Sequence, residues 1–240
     1  MTLLKLVFKK LSRSWRGKRR NADTVEAELA RLEEIALSMR SDGSWLQQET
    51  ELPSESDFAL IGKFIQVYCV ADFNARRVIN GLRAICLGEE EDFSSRLNDK
   101  DVLTHLKISA AAWTGSSNVS DGVVRAAEIL EMHRELRHNF AHWIVRRLRN
   151  ADALLILTKN AGEARKRSGT HHARDEATWG LFIPASVKVE MGKMQLHSDF
   201  LSKLAVHLEE DCQRLREEHL TRAAPAPQEP GRTGSTRREG

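Results

Sequence analysis

The chain has 240 residues, 41% of them hydrophobic, and a formal net charge of +3. That is enough apolar material for one sizeable core, and it excludes binding driven by overall charge, so any basic patch must come from local clustering. Three widely spaced cysteines, Cys69, Cys86 and Cys212, form no CxxC and supply no second pair, which argues against a disulfide framework and for reduced thiols.

The first 20 residues carry eight Lys or Arg and no acid. Within them, residues 1–16 read as a basic amphipathic helix, with Leu4, Val7, Phe8, Leu11 and Trp15 at three- and four-residue steps. Lys5, Lys9 and Lys10 interrupt the apolar run that a secretory signal needs. Three readings of this extension stay open: contact with an anionic membrane surface, contact with nucleic acid, or packing on the body. No segment approaches the roughly 20 apolar residues of a membrane span, and a cytoplasmic protein is expected.

Residues 23–39 read as a second helix, through Val25, Leu29, Leu32 and Ile35. After a polar loop containing Pro53, a long helix is predicted from about Asp57 to Leu87. Its ladder is Phe58, Ile61, Ile65, Tyr68, Ala71, Ala75, Val78, Leu82 and Ile85. Asn98, with Asp101 three positions on, predicts a capped helix over Asp99 to Trp113. The turn-rich TGSSNVSDG follows, with Ser120 as the expected cap of a further helix that runs to near Asn150.

Two short apolar runs, ADALLILT and WGLFIPASVKV, are joined by a charged linker and predict the strands of a small hairpin or flap. Helical spacing returns from about Met191 to Leu220, through Met194, Leu201, Leu204, Leu208 and Leu215. The expected organisation is therefore a basic extension at 1–20, a helical domain at 21–221 and a disordered tail at 222–240, which holds three of the five prolines. The fold class is mainly α, a bundle with a short β-hairpin or irregular flap between the last two long helices.

The chemistry concentrates in RHNFAH, residues 137–142. On a wheel at 100° per residue with Leu136 at zero, Ile129, Met132, Phe140, Trp143 and Ile144 define the core face. Arg137 then falls at about 100°, on the edge of that face, while His138 and His142 fall at about 200° and 240°, away from it. A small residue between basic and apolar ones, in the arc of Arg134, Ala141 and Val145, suits close approach of a second helix, and a symmetric dimer would bring Arg137 and His142 of both chains into one cleft.

This segment resembles the signature of the HEPN family, the higher-eukaryote and prokaryote nucleotide-binding helical domains. That signature is an arginine, a polar residue, and a histidine four to six positions after the arginine. Arg137, His138 and His142 match it, and the long helix LIGKFIQVYCVADFNARRVINGLR ahead of ELRHNFAHW resembles the family's bundle. The resemblance implies an HEPN-like helical bundle and, for many members, a metal-independent endoribonuclease with a composite dimeric site, in a toxin, defence or stress-response setting. It equally admits a non-catalytic HEPN-like module that binds a nucleotide or protein partner. A separate antitoxin or nucleotidyltransferase partner is a further implication by analogy.

The chemistry can be stated from the residues. RNA carries its own nucleophile, the 2′-hydroxyl, so a protein need only move protons and stabilise the phosphorane. His142 is the candidate general acid or base, and Arg137 the phosphate clamp. His138 orients or assists. Arg134, Arg146 and Arg147 are expected to hold flanking phosphates, and Asn139 to position His142, against the plainer reading of each as a solvated polar position.

No metal and no cofactor is expected. His138 and His142 have metal-gripping i, i+4 spacing, but HExxH is absent and no third ligand is evident. His171 and His172 fall in a polar linker, and His133 falls on the apolar side as a satisfied, partly buried side chain. GSSNVSDG lacks the Asp-x-Asp of a nucleotidyltransferase, because Gly122 and Val123 follow Asp121.

Overall fold

The computed structural model describes residues 48–88, 92–158 and 178–223. The helices expected over residues 1–16 and 23–39, the linker with His171 and His172, and the tail beyond residue 223 lie outside the described residues.

The chain enters through a two-residue strand, β1 (Thr50–Glu51), and passes straight into α1 (Glu55–Leu87). The start of α1 is a capping box: Ser54 Oγ accepts from the Asp57 amide, and the Asp57 carboxylate accepts from the Ser54 amide at 2.9 Å. Gly88 ends it in the left-handed region, at φ 65°, with its N–H on the Ala84 carbonyl. A cap is worth about 1 kcal/mol, whereas each fully buried Leu, Ile or Phe is worth about 1.5–3 kcal/mol, so packing decides the helix.

The buried stripe of α1 is Leu60, Ile61, Phe64, Tyr68, Ala71, Ala75, Val78, Ile79 and Leu82. This corrects the expected ladder at its edges. Phe58 is 58% exposed and Ile65 and Ile85 are only half-buried, because the helix packs against neighbours on a face turned toward Leu60, Phe64 and Ile79.

A 3-10 turn at Phe93–Arg96 leads to α2 (Asp99–Ala112). Asn98 caps α2 as its sequence suggested, its side chain accepting from the Lys100 and Asp101 amides at 3.1 Å each. Next comes α3 (Ser117–His142), which begins earlier than expected with Ser116 in the cap position. Ser120 does not cap it. Its hydroxyl donates to the Ala110 carbonyl at 2.8 Å and ties α3 to the last turn of α2.

The larger correction is the end of α3, at His142 rather than near Asn150. Trp143 is already extended, at φ −102° and ψ 157°, and residues Ile144–Leu148 form strand β2. The β-branched pair Ile144–Val145 favours that change, and the partner that enforces it is β3 (Leu154–Thr158), antiparallel with Val145 opposite Ile156. A last strand, β4 (Thr178–Phe182), pairs antiparallel with β3, and Pro184 opens α4 (Pro184–Ala223).

The sheet order is β1-β2-β3-β4. The two expected strands are thus two of four, and the WGLFIPASVKV run is split between strand and helix. Strand β3 is buried on both faces, which is why LLIL is continuously apolar. Leu154 and Ile156 join the helical core, while Leu155 and Leu157 form a second cluster with Leu148 and Leu181.

Helices α1 and α4 both leave the sheet and run side by side in the same direction. Arg77 meets Glu209, and Gly81 lies so close to α4 that an added Cβ would stand 2.7 Å from the Cβ of Leu208. Helix α3 returns between them toward the sheet. No helix among the described residues is long and apolar enough to cross a membrane.

Candidate active site

The termination of α3 sets the geometry of RHNFAH, which occupies the last turn and a half before the sheet. His142 is the last helical residue and is exposed. His138, one turn back and half-buried, brings its ring to 4.4 Å from that of His142, the planes tilted by 50°. The two imidazoles therefore form one pair at the C-terminal end of α3, with His142 exposed and His138 half-buried.

Arg137 points the other way around the helix. Its Nη1 is 3.3 Å from Asp99 Oδ2 at the start of α2, and its guanidinium carbon lies 5.4 Å from the centre of the Tyr68 ring on α1. The side chain is 23% exposed. Glu131, on the same helix, accepts from Lys107 at 2.7 Å. Arg137 is thus held by Asp99 and Tyr68, while His142 pairs with His138.

The other proposed contacts fall in different places. Asn139 is buried rather than exposed, at 4%, and its backbone carbonyl accepts from the Trp143 amide at the helix end. Arg134 is half-buried. Arg146 and Arg147 are on β2, not on the helix, so they do not extend a helical basic face. Arg146 donates to Thr50 Oγ1 at 3.1 Å. Arg147 bridges Asp57 at 2.7 Å and Asp152 at 2.5 Å.

Burial alone would raise the Asp57 carboxyl, but its bonds to Ser54 and Arg147 hold it below the usual range. Arg147 thus ties the sheet to the start of α1. Val145, expected on a helical docking arc, is on the same strand and packs against the core. Ile144 is exposed there rather than part of the core face, whereas Phe140 and Trp143 are buried and Ile129 and Met132 half-buried.

Sequence reasoning missed the polar cluster behind Arg137. Tyr68, 1% exposed, lies under the influence of Asp72 and Asp99 on one side and Arg134 and Arg137 on the other. Burial, then the two carboxylates, push its phenol far above the ordinary value, with the arginines opposing, so it stays protonated. Four buried atoms of this cluster have no hydrogen-bond partner: Tyr68 Oη, Asp72 Oδ1, Arg134 Nε and Arg137 Nε. No local signal marks Tyr68 beyond its place in an apolar ladder.

His133 is buried, with Nδ1 2.6 Å from the Ile129 carbonyl and Nε2 3.2 Å from Glu190. Among the described residues no group of three or more His, Cys, Asp or Glu is arranged to hold a metal ion.

Fold and site together define a mainly α-helical protein, with a small antiparallel sheet at one end and a histidine pair where the third helix meets it. Comparison with family models, with curated proteins and with solved structures found no match for the chain.

Proposed function

We propose that this protein is a metal-independent endoribonuclease of the HEPN type, acting as a homodimer in the cytoplasm. The observation that carries the reading is the His138–His142 pair, its rings 4.4 Å apart where α3 ends, with His142 exposed. One imidazole takes the proton of the RNA 2′-hydroxyl as its oxygen attacks the neighbouring phosphorus. A second protonates the departing 5′-oxygen, leaving a 2′,3′-cyclic phosphate and a free 5′-hydroxyl.

Base and acid must flank the phosphorus in line, and two adjacent rings on one helix face stand on the same side of it. Arg137 lies about 140° around an ideal helix from His142. Both facts favour a second copy that completes the site, with Arg137 of one protomer and His142 of the other on one phosphate. A toxin or defence setting and a separate antitoxin or nucleotidyltransferase partner rest on the family resemblance alone.

A second reading is a non-catalytic HEPN-like module that binds a nucleotide or protein partner. It is favoured by Arg137 being held by Asp99 and Tyr68 of its own bundle. Incubation of the purified chain with mixed RNA in EDTA separates the two. Cleavage lost in both Arg137→Ala and His142→Ala supports the ribonuclease; no cleavage by the wild type across varied RNAs, or cleavage that survives both substitutions, overturns it.

A further inference from the structure

The polar cluster between α1, α2 and α3 has an unbalanced hydrogen-bond inventory. Its buried unpartnered atoms comprise three donors, Tyr68 Oη, Arg134 Nε and Arg137 Nε, against one acceptor, Asp72 Oδ1. Donors buried without acceptors each cost about 1–3 kcal/mol, so such a set is stable when something acceptor-rich engages it.

Both carboxylates of the cluster are already engaged. Asp72 Oδ2 accepts from Arg76 Nε at 2.8 Å, and Asp99 accepts from Arg137. Arg76 is further occupied by the Ser94 and Leu97 carbonyls. Counting Arg76, Arg134 and Arg137 against Asp72 and Asp99 leaves the cluster with one net positive charge.

We propose that Tyr68, Arg134 and Arg137 form the seat of a phosphate oxyanion, entered along the partly exposed Arg137. An oxyanion offers only acceptors, which suits three donors supplied by two helices, Tyr68 from α1 and Arg134 and Arg137 from α3, and the guanidinium edges match its oxygens. The buried phenol adds a donor without adding charge. This deepens the ribonuclease reading by naming two further groups that hold the phosphate behind Arg137, and it rests on that reading only in taking RNA as the source of the phosphate.

Tyr68 is the one tyrosine in the chain, so a single resonance reports on the seat. The full chain carrying [ζ-13C]tyrosine is titrated with inorganic phosphate, with a nucleoside monophosphate and with a short RNA, each against chloride at matched ionic strength. The expected result is a saturable shift with phosphate that chloride does not produce. Arg134→Gln should weaken it, and Tyr68→Phe, which keeps the ring beneath Arg137, should weaken calorimetric phosphate binding about tenfold or more.

No shift, an equal shift with chloride, or unchanged affinity in both variants overturns the seat. A saturable shift with RNA in a protein that cuts no RNA keeps the seat and removes the ribonuclease. Cleavage that is undiminished in Tyr68→Phe, with no phosphate shift in the wild type, does the reverse. Binding by free phosphate and mononucleotide but not by RNA identifies the source as a small phosphate ligand and overturns the RNA assignment.

Discussion

His133 and Glu190 face each other across the contact between α3 and α4, Nε2 and Oε2 3.2 Å apart, in side chains only 2% and 3% exposed. The other ring nitrogen is 2.6 Å from the Ile129 carbonyl, so both ring nitrogens lie beside oxygens. Lys193 places its ammonium on Glu190 Oε1 at 2.6 Å. A buried polar pair this deep is costly to break because the partner left behind stays buried without its bond.

Removal of one member should therefore cost far more than a surface ion pair. Glu190→Ala is expected to destabilise the fold by about 3–5 kcal/mol in denaturant unfolding. Arg214→Ala, which breaks an exposed pair with Asp211, is expected to change it by under about 1 kcal/mol. Equal effects would show that the buried pair contributes no more than a surface contact.

The same pair gives a signed pH dependence. Burial pushes the Glu190 carboxyl up, yet its bonds to His133 and Lys193 win and hold it below 4.5 in the folded protein. Between the folded and unfolded values the unfolded chain binds more protons, so stability rises with pH there. The contribution is complete above 4.5 and is lost as pH falls through the folded value. Unfolding midpoints measured across the acid range should fall more steeply for the wild type than for Glu190→Gln; parallel curves would show that Glu190 titrates normally.

Much of this architecture was legible locally, and what was not depended on distant partners. Asn98 caps α2 through atoms two and three residues away, and the signal sits in the same short stretch. The end of α3 is different: HWIVRRLRN can continue a helix, and only pairing of Ile144–Leu148 with Leu154–Leu157 makes it a strand. The same applies to the site. His138 and His142 lie one turn apart, so their pairing followed from spacing. Arg137 takes its partner from Asp99, 38 positions away, and rests on Tyr68 from another helix. Asn139 is buried because the core face turns along α3, from Val123 and Ala127 near its start to Leu136 and Phe140 near its end.

Two glycines should respond oppositely to the same change. At Gly81 an alanine methyl would meet Leu208 at 2.7 Å, so Gly81→Ala is expected to lose about 1–3 kcal/mol through overpacking of α1 on α4. At Gly62 nothing lies within 4 Å of the added carbon, and Gly62→Ala should gain about 0.5–1 kcal/mol from helix propensity. Thermal melts of both variants check the close approach; a stabilising Gly81→Ala would mean that the helices lie further apart.

Arg147 provides a test of structural against substrate-binding roles. It joins Asp57 at the start of α1 to Asp152 beside β3, so Arg147→Ala should cost about 2 kcal/mol, the loss of charge-assisted bonds to a buried carboxylate. If that is its whole contribution, RNA affinity per folded molecule stays unchanged and the salt dependence of binding keeps its slope. A slope reduced by about one would instead place Arg147 on a phosphate.

The composite site makes a quantitative prediction that a single-subunit site does not. If each phosphate is held by Arg137 of one protomer and attacked under His142 of the other, Arg137→Ala and His142→Ala are each nearly inactive alone, by about 100- to 10,000-fold for the acid–base loss. Mixed and allowed to exchange, half the dimers pair one variant with the other. In each such dimer the wild-type arginine of the His142→Ala chain faces the wild-type histidine of the Arg137→Ala chain, giving one intact site of two. Activity should then return to about a quarter of the wild-type value. A site within one subunit gives no recovery on mixing, because each chain lacks one of the two groups it needs.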